Sequence, residues 1–290
     1  MDSCTAFLEI VRAGSISKAA DTLGYSQSSV SHMLKVLEDE LGCKLLTRDR
    51  SGVQLTTEGE QLLPSFYEIS NAQDRLREKV QEMHGLIAGR LHVAAFASVA
   101  NHWLPYIVHD FHELYPHIEF TLMSGSYLEI ESWIRDGNAD CAFIRLPTNI
   151  PMTSYLLRED SFYAILPEGH RFAGCDHLTM EMLAEEPFIL PEERGDNEIG
   201  PFFTTRGYSP KIFYTVPDIY TLITMVQVGL GVSILSGLAL EGATKIIKKP
   251  LDVNEVRKIG IAISDKPSTA AKTFVNYSRN WVRDKYKQYS

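Results

Sequence analysis

Cysteine is scarce in this 290-residue chain, and its four copies (Cys4, Cys43, Cys141, Cys175) are scattered with no CxxC pair and no histidine at metal-ligand spacing. That pattern fits reduced thiols and argues against a disulfide framework or a zinc site. There is no run of about 18 apolar residues, which leaves no candidate spanning helix. The opening "MDSCTAFLEIVRAG" lacks the basic start and apolar core of a signal peptide, so a cytoplasmic protein with no membrane partner is expected.

Catalytic signatures are missing too. No GxSxG, HExxH or P-loop occurs, and "GLGVSILSG" lacks the third glycine of a dinucleotide fingerprint in place. His109 and His112 stand one helical turn apart with no third ligand in view, the pattern of a solvated helix face. Neither an enzyme nor a cofactor is expected.

Positive charge is not in excess. The chain carries a net charge of -9, and no segment is basic: residues 1–57 sum to -1, 58–89 to -3 and 90–290 to -5. Any DNA binding would have to come from local placement of Lys and Arg on one face, since phosphate neutralisation depends on the side chains that reach the backbone.

The remaining composition, 44% hydrophobic and 22% charged, is that of an ordinary globular protein, long enough for about two or three domains. "FLEIVRAGSISKAADTLGYSQSSVSHMLKVLEDELG" divides into three short helical patterns. Gly14 and Ser15 break the first from the second, and Gly24 to Ser26 break the second from the third. Gly24 suits the positive φ of a tight turn and Ser26 is a good N-cap.

In the third pattern Val30, Leu34, Leu37 and Leu41 form one apolar stripe at a period near 3.6. Gln27, Ser28, Ser31, His32 and Lys35 fall on another face, and the acids Glu38, Asp39 and Glu40 come only at the far end. A polar, acid-free first half suits the second helix of a helix-turn-helix, whose N-terminal residues read base edges in the major groove. Ser17 and Lys18, at the start of the second pattern, join the DNA-facing set. The bland alternative is a three-helix bundle with an incidental polar face. Beyond it, "KLLTR" and "VQLT" joined by "DRSG" read as a hairpin or wing, with Arg48 and Arg50 near its tip.

Through "FLEIVRAGSISKAADTLGYSQSSVSHMLKVLEDELGCKLLTRDRSGVQLTTEGEQLL" and the residues C-terminal to it, the chain resembles the LysR-type transcriptional regulators nearly end to end. The resemblance implies base-reading and phosphate contacts at Gln27, Ser28, Ser31 and His32, with Arg50 in the wing. At His32 the chain departs from the family, which usually has arginine there. The resemblance also implies homodimers, commonly paired into tetramers, that bind double-stranded promoter DNA, with RNA polymerase as a further partner.

Thr57 and Glu60 have capping-box spacing and predict a helix running to about Gly85. Leu62, Ile69, Leu76 and Met83 recur every seven residues, a seam for a partner helix, and Pro64 is expected to kink that helix or displace its start.

From Arg90 onward strands alternate with helices, which implies parallel sheets flanked by helices. The expected fold is thus α/β: an N-terminal winged helix-turn-helix (1–57), a long linker helix (58–87) and a C-terminal effector-binding domain (88–290). The resemblance makes that last domain a two-lobed, periplasmic-binding-protein-like one, with lobe I at about 88–160 and 266–290 and lobe II at about 161–265. Ligands of such folds sit at strand carboxyl ends and helix N-termini, which selects Ser98, Val99, Ser126, Arg145 and Asp218. Ser98 and Ser126 also match positions that contact effectors in the family. Arg145 is read either as a bidentate clamp for a carboxylate or as one half of a salt bridge, and Phe202 either as an aromatic wall or as core. A small metabolite, with a carboxylate favoured by Arg145, is the expected effector. The competing class is a solute-binding or enzymatic α/β protein with an accessory helical domain.

Overall fold

In the computed structural model, which describes residues 3–49, 52–83, 87–192 and 198–287, three short helices open the chain. These are α1 (Ser3–Ala13), α2 (Ile16–Leu23) and α3 (Gln27–Leu41). The hydroxyl of Ser15 accepts from Lys18 N and caps α2; Ser26 Oγ accepts from Ser29 N and caps α3. Between them Gly24 takes φ 70 and returns its N–H to Ala20 O and Asp21 O, a left-handed turn that a side chain would strain. Ala6, Phe7, Ile10, Ala19, Ala20, Val30 and Leu34 close the core, the two alanines giving α2 and its neighbours their close approach.

The apolar stripe of α3 is one residue shorter than expected. Leu41 is 46% exposed, because the helix ends there and Gly42, at φ 71, turns the chain away. Glu38, the first of the three acids at the far end of α3, is only 6% exposed. Its carboxylate accepts from Lys44 Nζ (2.5 Å), Leu45 N (3.0 Å) and Leu46 N (3.4 Å), and so joins α3 to the first wing strand.

The wing is the antiparallel pair β1 (Leu46–Asp49) and β2 (Gly52–Leu55), in register Leu46 to Leu55. Val53 N donates to Gly14 O at 3.2 Å, which seats β2 on the turn between α1 and α2. A Cβ on Gly52 would lie 2.9 Å from that same oxygen.

Helix α4 (Thr57–Met83) follows. Thr56 rather than Thr57 is its cap: Thr56 Oγ1 accepts from Gly59 N at 2.9 Å and donates to Lys44 O at 2.6 Å. The capping box expected of Thr57 and Glu60 is therefore displaced by one residue, since Thr57 is already helical. The helix passes through Pro64, which lies within its second turn and does not delay its start. Phe66 and Tyr67 are buried, with Phe66 4.6 Å from the Phe7 ring, while Ile69, Leu76, Val80 and Met83 remain exposed. These elements form one compact unit, Met1–Arg90 with Arg135–Asn138.

The second unit, Leu91–Ile134 with Ala139–Ser290, holds the alternating elements. They are β3 (Gly89–Ala95), α5 (Ala97–His102), α6 (Leu104–Leu114), β4 (Ile118–Ser124), α7 (Tyr127–Arg135), β5 (Cys141–Leu146) and the 15-residue β6 (Thr153–Pro167). After them come α8 (Met180–Ala184), β7 (Pro187–Pro191), α9 (Gly200–Thr204), β8 (Lys211–Val216), α10 (Ile219–Gln227), β9 (Ser233–Ser236), β10 (Ile246–Pro250), β11 (Val256–Ile263) and α11 (Thr269–Tyr286).

The strand order is β10-β6-β11-β5-β3-β4, with β9 also on β6, and β7 runs parallel to β8. Strand β6 changes partners along its length: Thr153–Ser161 faces β11, whereas Phe162–Pro167 faces β9 and β10. The chain thus crosses between the two halves of the sheet near residue 160, and returns between Pro250 and Val256. The boundary expected near residue 265 is corrected by this pairing, because β11 lies between β5 and β6 and belongs with the first half. Helix α11 was not expected. Ala271, Phe274, Val275, Ser278 and Val282 bury one face of it at helical spacing, so the pattern is present in the sequence, though broken by polar residues.

Candidate functional site

Two separate places collect the residues singled out from sequence, one in each unit. In the first, α3 lays its apolar side on α1 and α2, and its opposite side faces outward. Gln27, Ser28, His32 and Lys35 are exposed and Ser31 is half-buried. Ser17 and Lys18 on α2 and Arg48 on β1 are exposed as well, while Arg50 lies outside the described residues. Ser28 Oγ is 2.9 Å from the capping hydroxyl of Ser26, so the two serines share a hydrogen bond at the helix start. Burial raises the pKa of Glu38, but its bonds to Lys44, Leu45 and Leu46 outweigh that and hold it below the ordinary glutamate value. It is therefore a charged anchor of the wing and does not face outward beside the polar face.

In the second unit a cavity of about 350 Å³ opens beyond the ends of β3 and β4, beside the middle of β6 and along β9. That is the lower end of the range for ligand pockets and suits a metabolite. Phe96, Phe162, Ile199, Ile219, Ile234 and Leu235 give it apolar walls, and Ser98, Ser126, Ser236, Tyr127 and Arg257 give it polar ones. Glu129, Glu192 and Glu198 also line it.

Arg257 organises the floor. Register places it opposite Asp160, and its Nη2 donates to Asp160 Oδ2 (2.7 Å) and to Ser98 Oγ (3.0 Å). Its Nη1 donates to the Tyr127 hydroxyl (3.0 Å), which donates in turn to Glu198 Oε2 (3.3 Å). Asp160 Oδ1 accepts from Leu238 N at 3.0 Å, so both oxygens of this buried carboxylate are used. Burial works against the charge of Arg257, yet Tyr127, Asp160 and Glu198 outweigh it and leave the pKa raised. Burial also pushes up the carboxyl of Glu198, against the pull of Arg257, Arg145 and Tyr127. Two polar atoms of the lining, Arg257 Nε and Ser236 Oγ, are buried with no hydrogen-bond partner among the described residues.

The expected effector residues divide. Ser98 and Ser126 line the cavity. Ser126 caps α7: its hydroxyl and N–H both donate to Glu129 Oε2 at 2.8 Å, and its Oγ accepts from Glu129 N, a reciprocal capping box. Of the other four, Val99 and Asp218 are corrected, while Arg145 and Phe202 take the salt-bridge and core readings rather than the effector contacts. Val99 is fully buried core. Phe202 packs edge-on behind Phe162, ring centres 4.9 Å apart, and does not form the wall itself. Arg145 stays outside the lining, paired with Glu198 at 3.4 Å and stacked 4.9 Å over the Tyr127 ring, which is the salt-bridge alternative. Asp218 spends its carboxylate capping α10, accepting from Tyr220 N, Thr221 N and the Thr221 hydroxyl; that hydroxyl bond holds its pKa low.

Sequence reasoning missed Arg257, Glu198 and Ser236. Ser236 was within reach, because it ends a strand as Ser98 and Ser126 follow theirs. Arg257 and Asp160 are 97 positions apart, and no local spacing announces their pairing. His109, the first of the histidine pair on α6, hydrogen bonds the neighbouring Asp110 at 3.0 Å on an exposed face. Among the described residues no helix is long and apolar enough to cross a membrane.

Comparison with known proteins agrees with this geometry. The family model described as bacterial regulatory helix-turn-helix protein, lysR family, matches residues 1–60, and that of the LysR substrate binding domain matches residues 84–283. The chain is 31% identical to the HTH-type transcriptional regulator ShiR of Corynebacterium glutamicum, over 88% of this chain and 90% of ShiR. It is 28% identical to the uncharacterised HTH-type transcriptional regulator YvbU of Bacillus subtilis, over 94% and 95%. Among solved structures, HinK of Pseudomonas aeruginosa superposes with a TM-score of 0.61 at 26% identity, covering 97% of both chains. A helix-turn-helix with its wing, followed by an α/β unit that encloses a metabolite-sized cavity, makes this chain a member of the LysR family of transcriptional regulators, a family of DNA-binding regulators and not of enzymes.

Proposed function

We propose that this protein regulates transcription in the cytoplasm by binding promoter DNA as a dimer or tetramer, under the control of a small organic effector held in the second unit. No cofactor beyond that effector is required. Gln27, Ser28, Ser31 and His32 read base edges or phosphates in the major groove, with Ser17, Lys18, Lys35, Arg48 and Arg50 on the phosphate backbone. The observation that carries this reading is the outward, acid-free first half of α3. Where the family usually has arginine, His32 offers a shorter reach.

Dimerisation through α4 is supported by its exposed stripe: Leu76 is 66% and Met83 81% exposed, too much apolar surface to leave in water on one helix. A two-fold dimer presents two reading helices, one for each half of a pseudo-palindromic site. The effector acts by binding two arrangements of the oligomer with different affinity, a coupling of about 1–3 kcal/mol, and the DNA-bound assembly presents itself to RNA polymerase.

The test is binding of purified full-length protein to a promoter fragment as salt is raised, against random DNA. A steep, sequence-selective loss is expected. Equal binding to random DNA would overturn the reading, as would ligand binding unchanged by deletion of residues 1–57 with no DNA-binding defect.

A further inference from the structure

Resting on the cavity as the effector site, we infer that the effector carries an ammonium group on an apolar body, as an apolar amine or amino acid does, and is not a simple carboxylate. The first reason is charge. Glu129, Glu192 and Glu198 line the cavity against one arginine, and the groups immediately behind add one of each sign, Asp160 and Arg145. Four carboxylates thus face two guanidinium groups. Arg257 is the only guanidinium among the described lining residues, and its charge is already matched by Asp160 at 2.7 Å. An incoming anion would find no uncommitted cation and would meet an excess of negative charge; an ammonium group would be drawn to the glutamates.

The second reason is the pattern of donors. Ser236 is 4% exposed and its Oγ has no partner among the described residues, and the same holds for Arg257 Nε. Ser98 accepts from Arg257, which leaves its own hydroxyl proton to donate. Arg257 Nε can only donate and Ser236 Oγ can donate or accept, so one ligand group that accepts would serve both, and the carboxylate of an amino acid supplies it while its ammonium answers the glutamates. The walls of Phe96, Phe162, Ile199 and Ile234 take the apolar body.

The experiment uses full-length protein and two series that differ only in the charged groups. One is phenylalanine, 2-phenylethylamine and 3-phenylpropionate; the other is leucine, 3-methylbutylamine and 4-methylpentanoate, each measured by calorimetry and thermal shift. In at least one series an ammonium-bearing compound should bind about tenfold or more tighter than its carboxylate isostere, the size of one charge-assisted hydrogen bond. Comparing amine with amino acid tells whether the carboxylate is also recognised. Glu198→Gln should shrink the preference, and exposed Glu192→Gln should do so even if the first variant does not fold. Carboxylates binding as tightly as their ammonium counterparts, or no binding in either series, would overturn the inference. Promoter binding is measured on the same preparation: intact DNA binding without ligand preference sinks this inference alone, and preference without DNA binding sinks the regulator reading alone.

Discussion

Arg257 on β11 stands directly across from Asp160 on β6, and the two form a buried ion pair of 2.7 Å at the point where β6 passes from one set of partners to the other. Their side chains are 6% and 2% exposed. The pair therefore supports the cavity floor and the crossing of the chain together.

Removing one partner of such a pair leaves the other buried and uncompensated. Asp160→Ala should destabilise the second unit by about 3–5 kcal/mol. It also orphans Leu238 N, which Asp160 Oδ1 now satisfies. Chemical denaturation of the variant against the parent measures this; a loss under about 1 kcal/mol would mean the pair is solvated.

On the DNA side, Ser31→Ala and His32→Ala should each weaken binding to a selected promoter fragment by about 1–3 kcal/mol without changing the oligomeric state. Lys35→Ala should weaken binding to all sequences alike and lower the salt slope by about one. Unchanged affinity in both Ser31 and His32 variants would move the reading face elsewhere.

Placing a charge in the exposed stripe of α4 should separate the protomers. Leu76→Glu, at a position 66% exposed in the single chain, is expected to shift sedimentation toward monomer while the circular dichroism of the folded chain is kept. A variant that stays dimeric would place the self-contact outside this helix.

Glu38 sets an acid limit on the first unit. Its folded pKa is lowered, so the folded state binds fewer protons than the unfolded chain; the stabilisation is complete above the ordinary value of 4.5 and is lost as pH falls through the folded pKa. Melting temperatures of the parent should fall over that window more steeply than those of Glu38→Gln. Parallel profiles would show that the bonds from Lys44, Leu45 and Leu46 do not depend on the charge.

The start of α4 gives a sharper contrast between neighbours. Thr56→Ala removes the cap to Gly59 N and should cost about 1 kcal/mol, whereas Thr57→Ala, inside the first turn, should cost far less. Equal losses would return the cap to Thr57.

What could be seen in the sequence was whatever local chemistry decides. Gly24 in a left-handed turn, Ser26 as a cap and the Val30, Leu34, Leu37 stripe depend on residues within a few positions, and so does the outward polar half of α3. Strand-end serines were likewise legible, since Ser98 and Ser126 lie within three residues of the ends of β3 and β4.

Tertiary structure alone decided where charge is neutralised. Asp218 looked like a site carboxylate but satisfies a helix start, Arg145 could be a clamp or a salt bridge and is held by Glu198, and Glu38, one of three acids at the end of α3, anchors the wing. Arg257, buried between Asp160, Ser98 and Tyr127, gave no local sign at all. The reason is physical: helix periodicity, caps and turns are set by neighbours along the chain, while a charge takes its role from whichever groups the fold brings within about 3 Å of it, and for Arg257 and Asp160 those come from strands 97 residues apart.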